Sequence, residues 1–217
     1  MSENNCDFNT EGIRQLFNKK SNKKPPVLCV PSKSIVAGKH LFFSEILDII
    51  DNEGVYIERE QAEQDFSYRQ IIPYVSLITP DNDRIAYQRK KAHTESRLAS
   101  LWSLGYGGHV EPQDEVKSDA AQTIANNIIR EISEETGVML NFFCDIEFES
   151  IICSSKGDVE KVHLGLCFRV SLTRQEVEVV FNTKTESRTT SLYRQHLWDK
   201  ENVEWEEWSK IVIARQL

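Results

Sequence analysis

Three glutamates, Glu131, Glu134 and Glu135, stand at i, i+3 and i+4, a spacing that gathers carboxylates on one side of a helix. Alone, such a patch is unfavourable. Like charges at i, i+4 cost about 0.2–0.5 kcal/mol, and carboxylates in a last helical turn oppose the macrodipole by up to about 1 kcal/mol each. A partly desolvated member costs more unless it is protonated or paired. A hard cation relieves all three problems, because oxygen-only donors suit Mg²⁺ or Mn²⁺, ions that keep waters and bridge phosphate oxygens. Arg130, directly before the first glutamate, is suited to holding neighbouring carboxylates by bidentate hydrogen bonds. Gly137 supplies a left-handed stop just past the cluster, and Gly107-Gly108 upstream allows backbone to approach a metal or phosphate closely. The bland alternative is a solvated, Glu-rich helix end with Arg130 as an ordinary surface charge.

A helix over residues 118–136 must carry this patch, with Ser118 and Asp119 as N-cap types. Taking Ile124 as zero at ~100° per residue, Ile128 falls near ~40°, Ala121 near ~60° and Ile132 near ~80°, a buried stripe. Glu135 lands at ~20° within the stripe, Glu131 at ~340° on its edge and Glu134 at ~280°. The acidic patch therefore starts where the core should be, a local inconsistency of the kind that marks functional sites.

Around the helix, apolar runs at 71–79 and 84–89 flank the turn cluster Pro80-Asp81-Asn82-Asp83 and predict one hairpin. Runs at 145–153 and 162–171 predict a second. Residues 98–104 lead into the glycine loop Gly105-Tyr106-Gly107-Gly108. A short strand is expected at 27–31, amphipathic helices at 40–51 and 202–215, and a short helix near 11–17. Strands before and after one central helix imply an α/β or α+β domain. The division expected is a polar arm over 1–26, an N-terminal extension packed on the core over 27–69, and the main domain over 70–217.

The chain has 217 residues, with Lys+Arg 26 against Asp+Glu 34 and a net charge of −8. That balance argues against a nucleic-acid polymer held through its phosphates, while leaving room for a small phosphorylated ligand. No apolar run approaches a membrane span, and the polar, acidic start predicts no signal peptide. Five cysteines, Cys6, Cys29, Cys144, Cys153 and Cys167, contain no C-x-x-C pair, and three sit in apolar segments. They read as small buried hydrophobes of a reducing, cytoplasmic protein. The scattered histidines show no zinc spacing.

Arg130-Glu131-Ile132-Ser133-Glu134-Glu135-Thr136-Gly137-Val138 resembles the second half of the Nudix box, R-E-U-x-E-E-x-G-U with U aliphatic. A chance match in a chain of this length is on the order of 10⁻⁵ at average amino-acid usage. The first half of the box is G-x5-E-x7. Gly108 matches its glycine and Asp114 is the sixth residue beyond, followed by Glu115; between Gly108 and Arg130 lie 21 residues where the pattern has about 13. Asp114 and Glu115 both stand as candidates for the first acid. Residues 64–74, Tyr87-Gln88-Arg89, 95–98 and Gly105–His109 further resemble a subgroup of MutT-like predicted phosphoesterases that has an N-terminal extension.

This resemblance implies an α/β/α sandwich with a mixed sheet and a catalytic loop-helix. It implies a Mg²⁺- or Mn²⁺-dependent hydrolase, in which metal-activated water cleaves a diphosphate linkage of a nucleoside diphosphate joined to another group. Carried over residue by residue, Glu131 and Glu135 are metal ligands, Glu134 a further ligand or water-positioning base, Gly108 a carbonyl donor, and Arg130 the residue that orients the carboxylates. A general base outside the box has Glu147, Glu149 and Glu186 as candidates. Arg89, Arg97 and His109 are candidates for the substrate phosphates, with the two arginines equally readable as surface charges. Trp102, Tyr106 and Phe168 could stack a base, although core roles are the commoner use. The alternatives are a nucleotide-binding or regulatory module that has lost turnover, suggested by the lengthened box, and an isopentenyl-diphosphate-isomerase-like enzyme, for which no extra acid/base pair stands out. A plain acidic interaction domain is permitted by composition alone. A homodimer is left open.

Overall fold

The computed structural model describes residues 24–35, 41–89, 100–140, 146–153, 161–183, 188–193 and 203–215, with Arg89 and 188–193 described through their backbone. Most of the polar arm, and the helix expected near 11–17, lie outside the described residues.

The first elements are β1 (Val27–Pro31), α1 (Phe43–Glu53), β2 (Val55–Ile57) and a single turn, α2 (Arg59–Ala62). The axis of the molecule is β3 (Tyr68–Ile78). Its alternation sends Ile71, Val75 and Leu77 to one face of the sheet and Tyr74 to the other. β4 (Arg84–Arg89) follows across the predicted turn, and β5 is Trp102–Ser103. The central helix α3 (Ala120–Thr136) precedes the second predicted hairpin, β6 (Ile146–Ile152) and β7 (His163–Ser171), which is antiparallel as expected. Then come α4 (Arg174–Asn182), β8 (Arg188–Tyr193) and α5 (Glu207–Ala214).

β7 runs parallel to β3 from Gln70↔His163 to Ile78↔Ser171. The opposite edge of β3 is shared: β1 pairs with its start at Cys29↔Gln70, and β4 with its end at Ile78↔Arg84. The glycine loop enters the gap between them, where Tyr106 bridges Val75. β2 extends the sheet beyond β1, while β5 and β8 both pair with β4, giving an eight-stranded mixed sheet.

Two helical layers enclose it. Ile46 and Ile50 of α1 and Ile124, Ile128 and Ile132 of α3 bury against Ile71, Val75, Leu77, Leu164, Leu166 and Phe168. Each such side chain contributes roughly 1.5–3 kcal/mol when fully buried. On the other face, Trp208 and Val212 of α5 cover Tyr74, Ile152 and Cys167. This is the expected α/β/α sandwich of the α+β class.

Helix α3 starts where its cap predicts, with the Asp119 side chain accepting from the Gln122 N–H, and it stops at Gly137 with φ 76°. Its buried face corrects the simple stripe. Ala121 is exposed and Ala120 buried. On the same ~100° wheel, the buried residues drift from Thr123 at ~260° and Asn127 at ~300° to Ile132 at ~80° and Thr136 at ~120°. The buried face thus drifts around the helix along its length, which leaves Ala121 outside it at the first turn. Three further differences have local causes. α1 begins at Phe43, where the Glu45 carboxylate accepts the Phe42 N–H. α5 begins at Glu207, because Trp205 pairs with Trp102 instead. α4 was not expected, although the capping box of Thr173 and Glu176 ahead of Val177 and Val180 signals it.

Cys29 and Cys167 are buried free thiols, pushed up to about 12 and about 11 chiefly by burial. Cys153 is exposed, against expectation, because it stands one residue past the end of β6. Cys6 and Cys144 lie outside the described residues. Among the described residues no helix is long and apolar enough to cross a membrane.

Candidate active site

The glycine loop is laid along β3 by backbone pairing. Tyr106 and Val75 exchange both N–H···O=C bonds, at 2.7 and 2.9 Å, and the Val110 carbonyl accepts the Leu28 N–H at 2.9 Å. Gly107, at φ 144°, lies so close to β3 that a Cβ there would stand 2.0 Å from the Pro73 carbonyl oxygen. At Gly108 a Cβ would meet the Glu131 carboxylate at 2.6–2.8 Å. The missing side chain is therefore what brings the first glutamate of α3 against the loop.

Arg130 fixes that contact from below. Its Nε and Nη2 donate to the two oxygens of Asp114, each at 2.8 Å, while Nη1 donates to Glu131 Oε1 at 2.8 Å and reaches Glu134 Oε2 at 3.4 Å. Nη2 also donates to the His109 carbonyl at 3.1 Å, as Asn127 Nδ2 does at 2.8 Å. Asp114 is 2% exposed. Burial alone would raise its carboxyl, but the Arg130 fork, the Glu111 amide and the Asn127 side chain outweigh burial and hold it below the ordinary carboxylate value. Asp114 and Glu131, against burial, hold the Arg130 guanidinium firmly charged.

Of the two candidate acids, Asp114 meets Arg130, and Glu115 is exposed. Asp114 stands at the G-x5 position counted from Gly108, and the residues between it and Arg130 form the turn over 115–119 and the front of α3. The N-terminal segment supports this longer stretch. The Asp51 carboxylate of α1 accepts the Ala120 N–H at 2.9 Å, and the Thr123 hydroxyl accepts the Val116 N–H at 2.8 Å. Asn127 was passed over in the sequence; its signal is a polar side chain on the core-facing side of α3.

The three glutamates differ in setting. Glu131 is 13% exposed and Glu134 59% exposed, while Glu135 is half-buried. Burial, with Arg130 opposing and Glu135 and Glu134 adding repulsion, pushes the Glu131 carboxyl up to about 7. Among the described residues no three His, Cys, Asp or Glu side chains stand gathered in metal-holding geometry. The donor chemistry nevertheless suits Mg²⁺ or Mn²⁺: hard oxygens only, with Glu131 seated in the hollow that Gly108 leaves.

Several of the remaining candidates are engaged elsewhere. His109 Nε2 is 2.8 Å from Gln70 Oε1, and burial, aided by Arg59, His163 and Lys24, drops its imidazole to about 2. Arg89 is the last residue of β4, while Arg97 and Glu186 lie outside the described residues. Glu147 pairs with Arg169 at 2.8 Å and Glu149 with Arg84 at 2.9 Å. Tyr106 and Phe168 are core residues, and Trp102 packs near Trp205.

No protein-family model matches the chain. The solved structure of Tm1382, which carries a provisional Nudix-hydrolase designation, superposes with a TM-score of 0.67 at 27% identity, covering 88% of this chain and 98% of that one. With the box residues clasped around Gly108 as described, this likeness decides the family. The chain belongs to the Nudix superfamily. Protein YmaB of Bacillus subtilis (strain 168) is 31% identical over 129 residues, which are 59% of this Nudix chain and 62% of YmaB, under two thirds of its length. A weaker likeness, with a TM-score of 0.47 at 15% identity, covers 68% of the chain and 87% of the Nudix domain of Shewanella oneidensis NrtR, solved with ADP ribose.

Proposed function

We propose that this Nudix chain hydrolyses a diphosphate linkage in a small nucleoside diphosphate-type substrate, with Mg²⁺ or Mn²⁺ as cofactor. The observation that carries this reading is the Glu131 carboxylate seated in the hollow at Gly108 and tied through Arg130 to Asp114. Glu131 and Glu135, with Glu134 and the Gly108 carbonyl, are the groups that would hold the cation. When bound, it neutralises the diphosphate and activates a water for in-line attack. The chain's own residues supply the frame. Asp114 fixes the guanidinium plane, and Arg130 then turns one Glu131 oxygen toward itself, leaving the carboxylate aimed along the loop. Glu134, exposed and paired with Arg130 at 3.4 Å one turn of helix away, would accept a proton from attacking water.

The test is a panel of nucleotide sugars, dinucleoside polyphosphates and nucleoside triphosphates, assayed with Mg²⁺ or Mn²⁺. Glu135→Gln is expected to lower turnover by about 10-fold or more, since loss of even an outer-shell partner of a metal ligand costs about 10–100-fold. Turnover that survives this substitution, or that persists in EDTA, defeats the proposal. A second reading, a nucleotide-binding module without turnover, draws on the outward position of Glu134 and on the lengthened box. Calorimetry separates the two: binding with no product over hours selects the module.

A further inference from the structure

A second buried carboxylate, Glu206, lies at the other end of the glycine loop, on the α5 side of the sheet. It is 7% exposed, just before α5, and three hydroxyls converge on its Oε1: Tyr74 at 2.8 Å, Ser103, and Ser209 at 3.3 Å. Ser209 and Ser103 are themselves fully buried. The Leu104 N–H donates to Ser209 Oγ at 2.9 Å, Ser209 Oγ lies 2.8 Å from the Tyr74 hydroxyl, and the Gly105 N–H donates to Ser103 Oγ at 3.2 Å.

Each hydroxyl has one proton, and a carboxylate only accepts. These two facts limit the bonds. Leu104 N–H donates to Ser209 and Gly105 N–H to Ser103, while Tyr74 donates to Glu206; the single Ser209 proton is shared between the Tyr74 hydroxyl and Glu206, and that of Ser103 between Glu206 and the Gly105 carbonyl at 3.0 Å. Two consecutive loop amides are thus tied to one carboxylate oxygen. The Gly105 carbonyl, in turn, accepts the Tyr87 hydroxyl at 3.0 Å. The Tyr74 ring also fills the space beside Gly105, where a Cβ would stand 2.1 Å from it. Three residues further on is Gly108.

We infer that Glu206 is a positioning residue for the loop Gly105-Tyr106-Gly107-Gly108. Its acceptor-only carboxylate gathers the hydroxyls that hold the Leu104 and Gly105 amides, and so fixes where Gly108 meets Glu131. This rests on the reading above that Gly108 and Glu131 form the catalytic site, but its first readout does not.

The test uses the full-length chain with Glu206→Ala, Glu206→Gln and, as a milder break in one link, Ser209→Ala. Amide hydrogen exchange is followed by mass spectrometry over 103–109, with α1 as the internal control. Glu206→Ala is expected to speed exchange in 103–109 by about tenfold or more and leave α1 unchanged, since local opening is read separately from global unfolding. Ser209→Ala should give a smaller acceleration in the same segment, and Glu206→Gln, which keeps an oxygen acceptor, smaller still. With a substrate that the wild-type chain turns over, Glu206→Ala should lower kcat about tenfold with KM unchanged, the mark of a displaced reacting group. Loop exchange equal to wild type, acceleration shared equally with α1, or a change in KM alone overturns the inference. If no substrate turns over but loop exchange is accelerated, the inference stands and the proposed hydrolysis fails.

Discussion

Two buried carboxylates, Asp114 and Glu206, bracket the glycine loop, and they are satisfied in opposite ways. Asp114 sits under a guanidinium fork only 16 residues away, with two parallel 2.8 Å bonds. Glu206 gathers hydroxyls from Tyr74 and Ser103, 132 and 103 residues away. A fork has fixed geometry and full charge, so it holds one orientation strongly. Hydroxyls rotate, so their network follows from which atom is allowed only to accept. One end of the loop is clamped by charge, and the other by hydroxyls gathered on one acceptor.

That difference makes the largest predicted effect asymmetric. Arg130→Ala strands a buried carboxylate with only neutral donors, and removing one partner of a buried ion pair costs about 3–5 kcal/mol. Ser209→Ala on the other side removes a neutral link and should cost about 1–3 kcal/mol, the range for a buried amide left unsatisfied. Urea denaturation of both variants measures the gap. Equal losses would mean that the fork adds nothing beyond ordinary hydrogen bonding.

The same asymmetry governs what could be read from the residues alone. Helix α3, its Asp119 cap and its Gly137 stop all follow from spacing within one short stretch. The choice between Asp114 and Glu115 did not, because the additional residues before Arg130 hide the register; only the fork shows which acid is met. A single straight stripe on a helical wheel places Ala121 inside, whereas the buried face of α3 drifts along the helix and leaves it exposed. The Glu206 cluster gave no local signal at all. Its four members lie on β3, β5 and the start of α5, and only the fold brings them together. For the same reason β2 and β8, short strands identified by their partners, were not anticipated.

The two outer glycines of the loop sharpen the contrast at intermediate cost. Gly105→Ala drives a methyl into the Tyr74 ring, which is itself held by Glu206 and Ser209. Overpacking of this kind costs about 1–3 kcal/mol. At Gly108 the obstructing atoms are the carboxylate end of Glu131. That side chain can swing away, so Gly108→Ala should leave the melting temperature nearly unchanged while weakening Mn²⁺ binding about 10–100-fold. Thermal melts with titration calorimetry test the pair. A Gly108→Ala chain that binds Mn²⁺ like the wild type would remove the hollow from the account of the site.

The smallest effect concerns pH and applies to the charged end of the loop. Asp114 is held below the ordinary carboxylate value in the folded chain, so on acidification the unfolded chain takes up this proton first. The stabilisation that follows is complete above the unfolded value of ~3.9 and is lost as pH falls through the lower folded value, with a ceiling of about 1.4 kcal/mol per pH unit. Asp114→Asn removes this titration. Denaturant unfolding in EDTA, for both chains between pH 6 and pH 3, should therefore show a stability gap that is constant near neutrality and narrows once the pH passes below ~4. A gap that stays constant across the range would mean that Asp114 is no better stabilised in its charged form by the fold than by water, leaving shape, not charge, as the role of the Arg130 fork.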